Sequence, residues 1–74
     1  MAKPPVVSGR KVQKAFERLG WKKVRQTGSH IIMTKDGEMV TLSIPDHNPV
    51  AKGTLRSLIR SAGLTVDEFS EICD

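Results

Sequence analysis

The sequence predicts a small α+β domain in which helices cover one face of a three-stranded antiparallel sheet. Two segments repeat apolar residues at the spacing of a helix, and three strand-like segments separated by glycine turns lie between them. The chain has 74 residues, which is enough for one modest core. The economical arrangement packs the helices on the apolar face of the sheet and leaves the other face open.

The first helix is predicted to follow a flexible arm. Residues 1–7 contain two prolines and no apolar pattern, so the domain is expected to occupy residues 8–74. Ser8 is a suitable N-cap, and Gly20 is a natural end of the helix. The apolar stripe between them consists of Val12, Ala15, Phe16 and Leu19.

Three strands are predicted next, at residues 21–27, 30–35 and 38–44. The dipeptides between them, Gly28-Ser29 and Asp36-Gly37, suit two-residue hairpin turns of types II′ and I′ respectively.

These turns predict a register and therefore the two faces of the sheet. Met33 would pair with Val24 on one side and with Val40 on the other, and His30 with Ser43. One face is then apolar. The other face is polar and basic, and it carries His30 together with Lys23 and Arg25.

Two further helices are predicted after a proline-containing loop. The first opens at Gly53 or Thr54, ends at Gly63 and has one apolar stripe, formed by Leu55, Leu58, Ile59 and Ala62. The segment from Thr65 to Glu68 then matches a capping box, which predicts a short last helix.

The charge of the chain favours a polyanionic partner. Twelve Lys and Arg face eight Asp and Glu, a net charge of +4. Four of the acidic residues lie in the last eight positions, so residues 1–66 carry twelve basic and four acidic groups, a balance of +8. Such a body attracts nucleic acid, although a solvated basic surface is the alternative interpretation.

Several classes of protein are disfavoured. The one cysteine, Cys73, argues against a disulfide-stabilised secreted domain. The longest apolar run is far too short for a membrane span, and the first residues lack the apolar stretch of a signal peptide. We therefore expect a cytoplasmic protein without a membrane partner.

The motif Gly28-Ser29-His30 is the strongest chemical signal. It places a histidine at the start of an apolar strand, directly after a tight turn, in a basic chain. Histidine is the side chain that most readily exchanges a proton near neutral pH. A protein that binds RNA and cleaves it with one histidine is therefore predicted; a histidine that only closes a hairpin is the simpler alternative.

The chain resembles the HicA toxin family of bacterial toxin–antitoxin systems over about residues 6–72. The resemblance rests on Gly28-Ser29-His30 and its alternating strand, on Pro45-Asp46-His47, and on the helix from Gly53 to Ile59. Ala62-Gly63-Leu64, an acidic pair before Phe69 and the segment back to Gly20-Trp21 extend it.

The resemblance implies a fold like the double-stranded-RNA-binding domain and cleavage of messenger RNA without a metal or another cofactor. It implies that His30 is catalytic and that a cognate HicB-like antitoxin binds the toxin and blocks that surface. With the predicted register, Lys23, Arg25, Gly28 and Ser29 are the candidate RNA-binding residues.

Other interpretations stay open. His47 could transfer a proton, contact a phosphate or fix its loop by a hydrogen bond, and the structural role is favoured. A zinc site from His30, His47, Asp46 and Cys73 has unsuitable spacing. Trp21 and Phe16 are expected in the core rather than stacked on bases. The alternatives to a nuclease are a non-catalytic double-stranded-RNA-binding module and a basic domain that docks an acidic partner.

Overall fold

The computed structural model describes residues 4–73 and confirms the predicted α+β order. Helices pack against a three-stranded antiparallel sheet whose strands are ordered as in the sequence, as in a double-stranded-RNA-binding-domain-like fold. The elements are α1 (Gly9–Glu17), β1 (Lys22–Thr27), β2 (His30–Thr34), β3 (Leu42–Pro45), α2 (Lys52–Ser61) and α3 (Val66–Cys73).

The start of α1 lies where the sequence predicts it. Ser8 is the N-cap, and its side chain accepts a hydrogen bond from the backbone N–H of Lys11 at 3.2 Å. Residues 1–3 of the predicted flexible arm lie outside the described residues. At the other end of that arm Val7 is buried, and its carbonyl accepts a hydrogen bond from the N–H of Val50 at 2.8 Å. Val7 is therefore packed into the domain.

The core lies between the helices and one face of the sheet. The apolar stripes of the helices meet the inward side chains of β2 and β3, which are Ile31, Met33, Leu42 and Ile44. The ring of Phe16 contacts Phe69 at 5.4 Å and Trp21 at 6.3 Å between centroids. All three aromatic side chains are buried, which confirms their predicted role in packing.

The last helix begins with the predicted capping box. The backbone N–H of Thr65 donates to a carboxylate oxygen of Glu68 at 2.8 Å, and the N–H of Glu68 donates to the hydroxyl of Thr65 at 3.1 Å. These bonds orient α3 so that Phe69 enters the core.

Replacing Thr65 by alanine is expected to lower the free energy of unfolding by about 1 kcal/mol, because an N–H at the start of α3 loses its acceptor. Urea denaturation measures this change. The matched variant Thr65→Ser keeps the hydroxyl and should retain most of the stability. Equal losses in both variants would contradict the capping role.

The hairpin between β2 and β3 differs from its predicted register. Asp36-Gly37 does form a turn, closed by a hydrogen bond from the N–H of Glu38 to the carbonyl of Lys35 at 3.0 Å. A type I′ turn needs a positive φ at both of its central residues. Of Asp36 and Gly37, only Gly37 has one (86°), so the turn is not the predicted type I′. Residues 38–41 remain outside the strands, and β3 begins at Leu42.

As a result, the pairing is shifted by two residues. Met33 faces Leu42 instead of Val40, and His30 faces Pro45 instead of Ser43. Because side chains alternate with a period of two, a shift of two leaves each paired residue on its predicted face. Val40, in contrast, lies outside the strand and is 40% exposed, so its predicted place on the apolar face is wrong.

The hairpin between β1 and β2 matches the prediction at its turn and departs from it further along. Thr27 faces His30 across Gly28-Ser29, and Arg25 faces Ile32 as predicted. A β-bulge then interrupts the register between Lys23 and Arg25. Lys23 faces Met33 where Val24 was predicted, and Val24 is 55% exposed.

Candidate functional site

The candidate site lies on the face of the sheet opposite the core, at the end where β2 begins. His30 is exposed on this face, since it alternates with the buried Ile31. Arg25 pairs with Ile32 and is therefore the diagonal neighbour of His30 on the same face. His30 and Arg25 thus share this face of the sheet.

His30 and His47 line the same open depression, which has a volume of about 310 Å³. Its remaining walls come from Pro45, Pro49, Ala51 and Thr54. Two imidazoles and a backbone rich in proline therefore border one space that is large enough for a small ligand or part of a chain.

The turn before His30 and the loop before His47 are joined by one short backbone hydrogen bond. The N–H of Asp46 donates to the carbonyl of Ser29 at 2.6 Å. Gly28 supplies the positive φ (56°) that the turn needs, which a side chain at this position would disfavour. The relative position of the two histidines is therefore set by the main chain.

A second set of contacts ties the same loop to α1. The N–H of Gly9 donates to the carbonyl of His47 at 2.8 Å. Gly9 approaches the carbonyl oxygen of Pro45 so closely that a Cβ atom would collide with it. The loop is thus held between the start of α1 and the sheet.

The carboxylate of Asp46 points to the neighbouring elements. One oxygen accepts a hydrogen bond from the amide of Gln26 at 3.3 Å, and the other lies 3.7 Å from Nε of Arg10. Gln26 in turn accepts a hydrogen bond from Nζ of Lys23 at 3.2 Å. Asp46 therefore connects β1, α1 and the loop of His47.

The predicted face of Lys23 is wrong. The bulge pairs it with Met33, on the face that the helices cover, and it lines a cleft beside α1 with Arg10 and Glu17. Lys22 faces Thr34 and takes its place on the face of His30. Lys22 was not among the predicted site residues, because unbroken alternation along β1 would place Val24 inward and Lys23 outward.

The predicted register also did not place His47 beside His30, although a role of His47 in proton transfer was one of the open interpretations. The predicted register placed Ser43 opposite His30, so Pro45 and the loop after it extended beyond the site. In the observed register Pro45 faces His30, and His47 follows two residues later. Met39 and Val40 lie in the connection, so its composition gave no clear signal that it is longer than two residues.

The start of α2 lies at the edge of the depression, and its first N–H groups have no hydrogen-bond acceptor among the described residues. Its N-cap, Ala51, provides no side-chain hydrogen bond. Among the described residues, the N–H groups of residues 52–54 have no backbone acceptor. Such a helix terminus favours negative charge nearby.

Two other features bear on the class of protein. Within residues 4–73, none of the helices combines the length and the apolar composition needed to cross a bilayer. Over the same residues, no three side chains of His, Cys, Asp or Glu are grouped so that they would hold a metal ion.

Known proteins share the sequence pattern and the fold of this chain. A family described as the HicA toxin of bacterial toxin–antitoxin systems matches residues 9–64. A solved toxin–antitoxin complex from Streptococcus pneumoniae contains a chain similar to this one, with 36% sequence identity and a TM-score of 0.66. The alignment covers 81% of this chain and 100% of that one. No curated protein sequence matches the chain.

Proposed function

Since the chain belongs to the HicA toxin family of bacterial toxin–antitoxin systems, we propose that it is a toxin that cleaves messenger RNA in the cytoplasm, without a metal or another cofactor. We assign the catalytic role to His30. The observation that carries this proposal is the exposed imidazole at an open depression, on a face shared with Arg25 and Lys22.

The proposed reaction uses the RNA as its own nucleophile. The 2′-hydroxyl attacks the adjacent phosphorus, the bond to the 5′-oxygen breaks, and the products are a 2′,3′-cyclic phosphate and a 5′-hydroxyl. An imidazole can take or give one of the protons in this step, which typically accelerates a reaction by about 10²–10⁴-fold.

Positive charge is needed beside the phosphate as its oxygens gain charge. Arg25 can donate two parallel hydrogen bonds to a phosphate, and Lys22 adds a cation further along β1. Gly28 and Ser29 present a narrow turn next to His30, where the RNA backbone can approach the main chain. These residues form the proposed RNA contact.

The direct test of this function is incubation of the purified chain with a long RNA in excess EDTA. We expect shortened RNA that ends in 2′,3′-cyclic phosphates, and arrested growth when the chain is expressed without its partner. Intact RNA that is bound with strong salt dependence would instead support a non-catalytic RNA-binding module. No affinity for RNA at low salt would favour a domain that docks an acidic protein.

Lys22 is expected to contribute more to RNA binding than Lys23, because only Lys22 shares the face of His30. In a His30→Ala background, which keeps the RNA intact, Lys22→Gln should weaken binding and lower the slope of log K against log salt by about 0.7–1. Lys23→Gln is the matched control. Equal losses for both lysines would show that binding does not follow this face of the sheet.

We also propose a cognate HicB-like antitoxin as the protein partner. The similar chain of known structure belongs to a toxin–antitoxin complex. The open basic face offers charge complementarity to an acidic or nucleic-acid-mimicking surface. Co-purification with the product of a neighbouring gene, together with loss of RNA cleavage in the complex, tests this partner.

A further inference from the structure

His47 borders the same depression as His30, and its imidazole forms no hydrogen bond or ion pair with the rest of the described residues. Within residues 4–73, neither imidazole has a hydrogen-bonding or ionic partner, and both side chains are exposed. The loop is instead held by main-chain groups: the carbonyl of His47 accepts from Gly9, and the N–H of Asp46 donates to Ser29. The structural role favoured for His47 from the sequence required a hydrogen bond from its imidazole, and no such bond is present in the part of the chain that the structure describes.

The backbone around His47 is fixed although its ring is free. Gly9 packs against the carbonyl of Pro45, and the carboxylate of Asp46 bonds to Gln26. The cross-strand pair of His30 and Pro45 brings the end of β3 beside the first residue of β2. This combination of a held main chain and an accessible ring suits a group that acts on a ligand in the depression.

We propose that His47 is a second catalytic residue, which transfers one of the two protons in the RNA cleavage assigned above to His30. One imidazole accepts the proton of the 2′-hydroxyl as the bond from O2′ to phosphorus forms. The other, as an imidazolium, gives its proton to O5′ as the bond from phosphorus to O5′ breaks. The two proton transfers balance, and no further reactant is needed. This inference rests on the proposed function.

The charged side chains on the elements around the depression would not repel a phosphate bound between His30 and His47. Asp46 directs its carboxylate toward Arg10 and Gln26. Arg25 lies on β1, and Lys52 and Arg56 lie on α2, all three with exposed side chains. Among the described residues, the walls of the depression contain no Lys or Arg, so these cations would favour a phosphate there through longer-range attraction, together with the N–H groups at the start of α2.

The test compares His47→Gln and His47→Arg with the parent chain on an RNA oligonucleotide. If His47 transfers a proton, both variants should lose about 10²–10⁴-fold in kcat, and the bell-shaped pH–rate profile of the parent should lose one limb. An arginine keeps a positive charge, so His47→Arg would retain activity if His47 only contacted a phosphate. Asn48→Ser, in the same loop but outside the depression, is the matched control. Thermal unfolding of each variant separates a loss of fold from a loss of chemistry.

A modified substrate assigns the two roles. An oligonucleotide with sulfur in place of the scissile O5′ needs no acid, because a thiolate leaves without a proton. We expect it to restore the rate of either His30→Gln or His47→Gln and not of the other. Restoration of neither variant, or an unchanged bell-shaped profile in His47→Gln, would overturn the two-histidine assignment while the proposed nuclease function stands. A parent chain that does not cleave RNA would overturn both.

Discussion

Replacing His30 by alanine is expected to lower the rate of RNA cleavage by about 10²–10⁴-fold, the contribution of one positioned proton-transfer group. The folded state should be unaffected, because the side chain is exposed and lies on the face that the helices leave open. RNA affinity should change little, because the cations on that face remain. Cleavage assays in EDTA, RNA-binding titrations and thermal unfolding measure the three properties separately.

Two further measurements sharpen this result. Free imidazole added to His30→Ala should restore part of the activity, since the position is open to solvent. Met39→Ala, which removes a fully exposed side chain in the loop between β2 and β3, is the control for a surface substitution. Cleavage by His30→Ala at the parent's rate would remove His30 from the mechanism.

Replacing Gly9 by alanine is expected to have the largest effect on stability. The new methyl group would collide with the carbonyl oxygen of Pro45 and lie 3.0 Å from Cα of Asp46. These are backbone atoms, so relief requires movement of α1 or of the loop. Such overpacking costs about 1–3 kcal/mol, a large share of the roughly 3–5 kcal/mol available to so small a domain. At about 4–8 °C per kcal/mol, a fall in Tm of about 4–24 °C is expected.

The same substitution should impair the site in the molecules that still fold. The loop carries His47, and its hydrogen bond from Gly9 would be strained. A displacement of about 1 Å can cost 10²-fold in rate. Gly53→Ala is the matched control, because its methyl group would meet no atom within 4 Å. Its Tm should be unchanged or higher; equal behaviour of the two variants would refute the close packing at Gly9.

Elements with a local signal could be predicted from the sequence. The N-cap at Ser8, the capping box at Thr65 and the positive φ at Gly28 each depend on a few neighbouring residues. The apolar stripes of α1 and α2 have the helical period, and their buried faces are the predicted ones. The order of the elements followed from these signals.

Register could be predicted only next to the Gly28-Ser29 turn, because elsewhere in the sheet it depends on contacts between elements. Val24 was expected to face the core, but the part of the sheet beside it meets the charged side of α1, where Lys23 lies. The register of the edge strand is interrupted there by a β-bulge. The site was affected at two positions: Lys22 replaced Lys23 on the open face, and the shifted β3 brought His47 to His30.

The backbone bonds that hold the two histidines join residues far apart in the chain. Ser29 bonds to Asp46, and Gly9 bonds to His47, so three separate segments must meet before the site exists. A nascent chain on the ribosome consequently lacks the assembled site until the loop after β3 has emerged and docked. Under the proposed function, RNA cleavage is therefore expected only after that loop has docked.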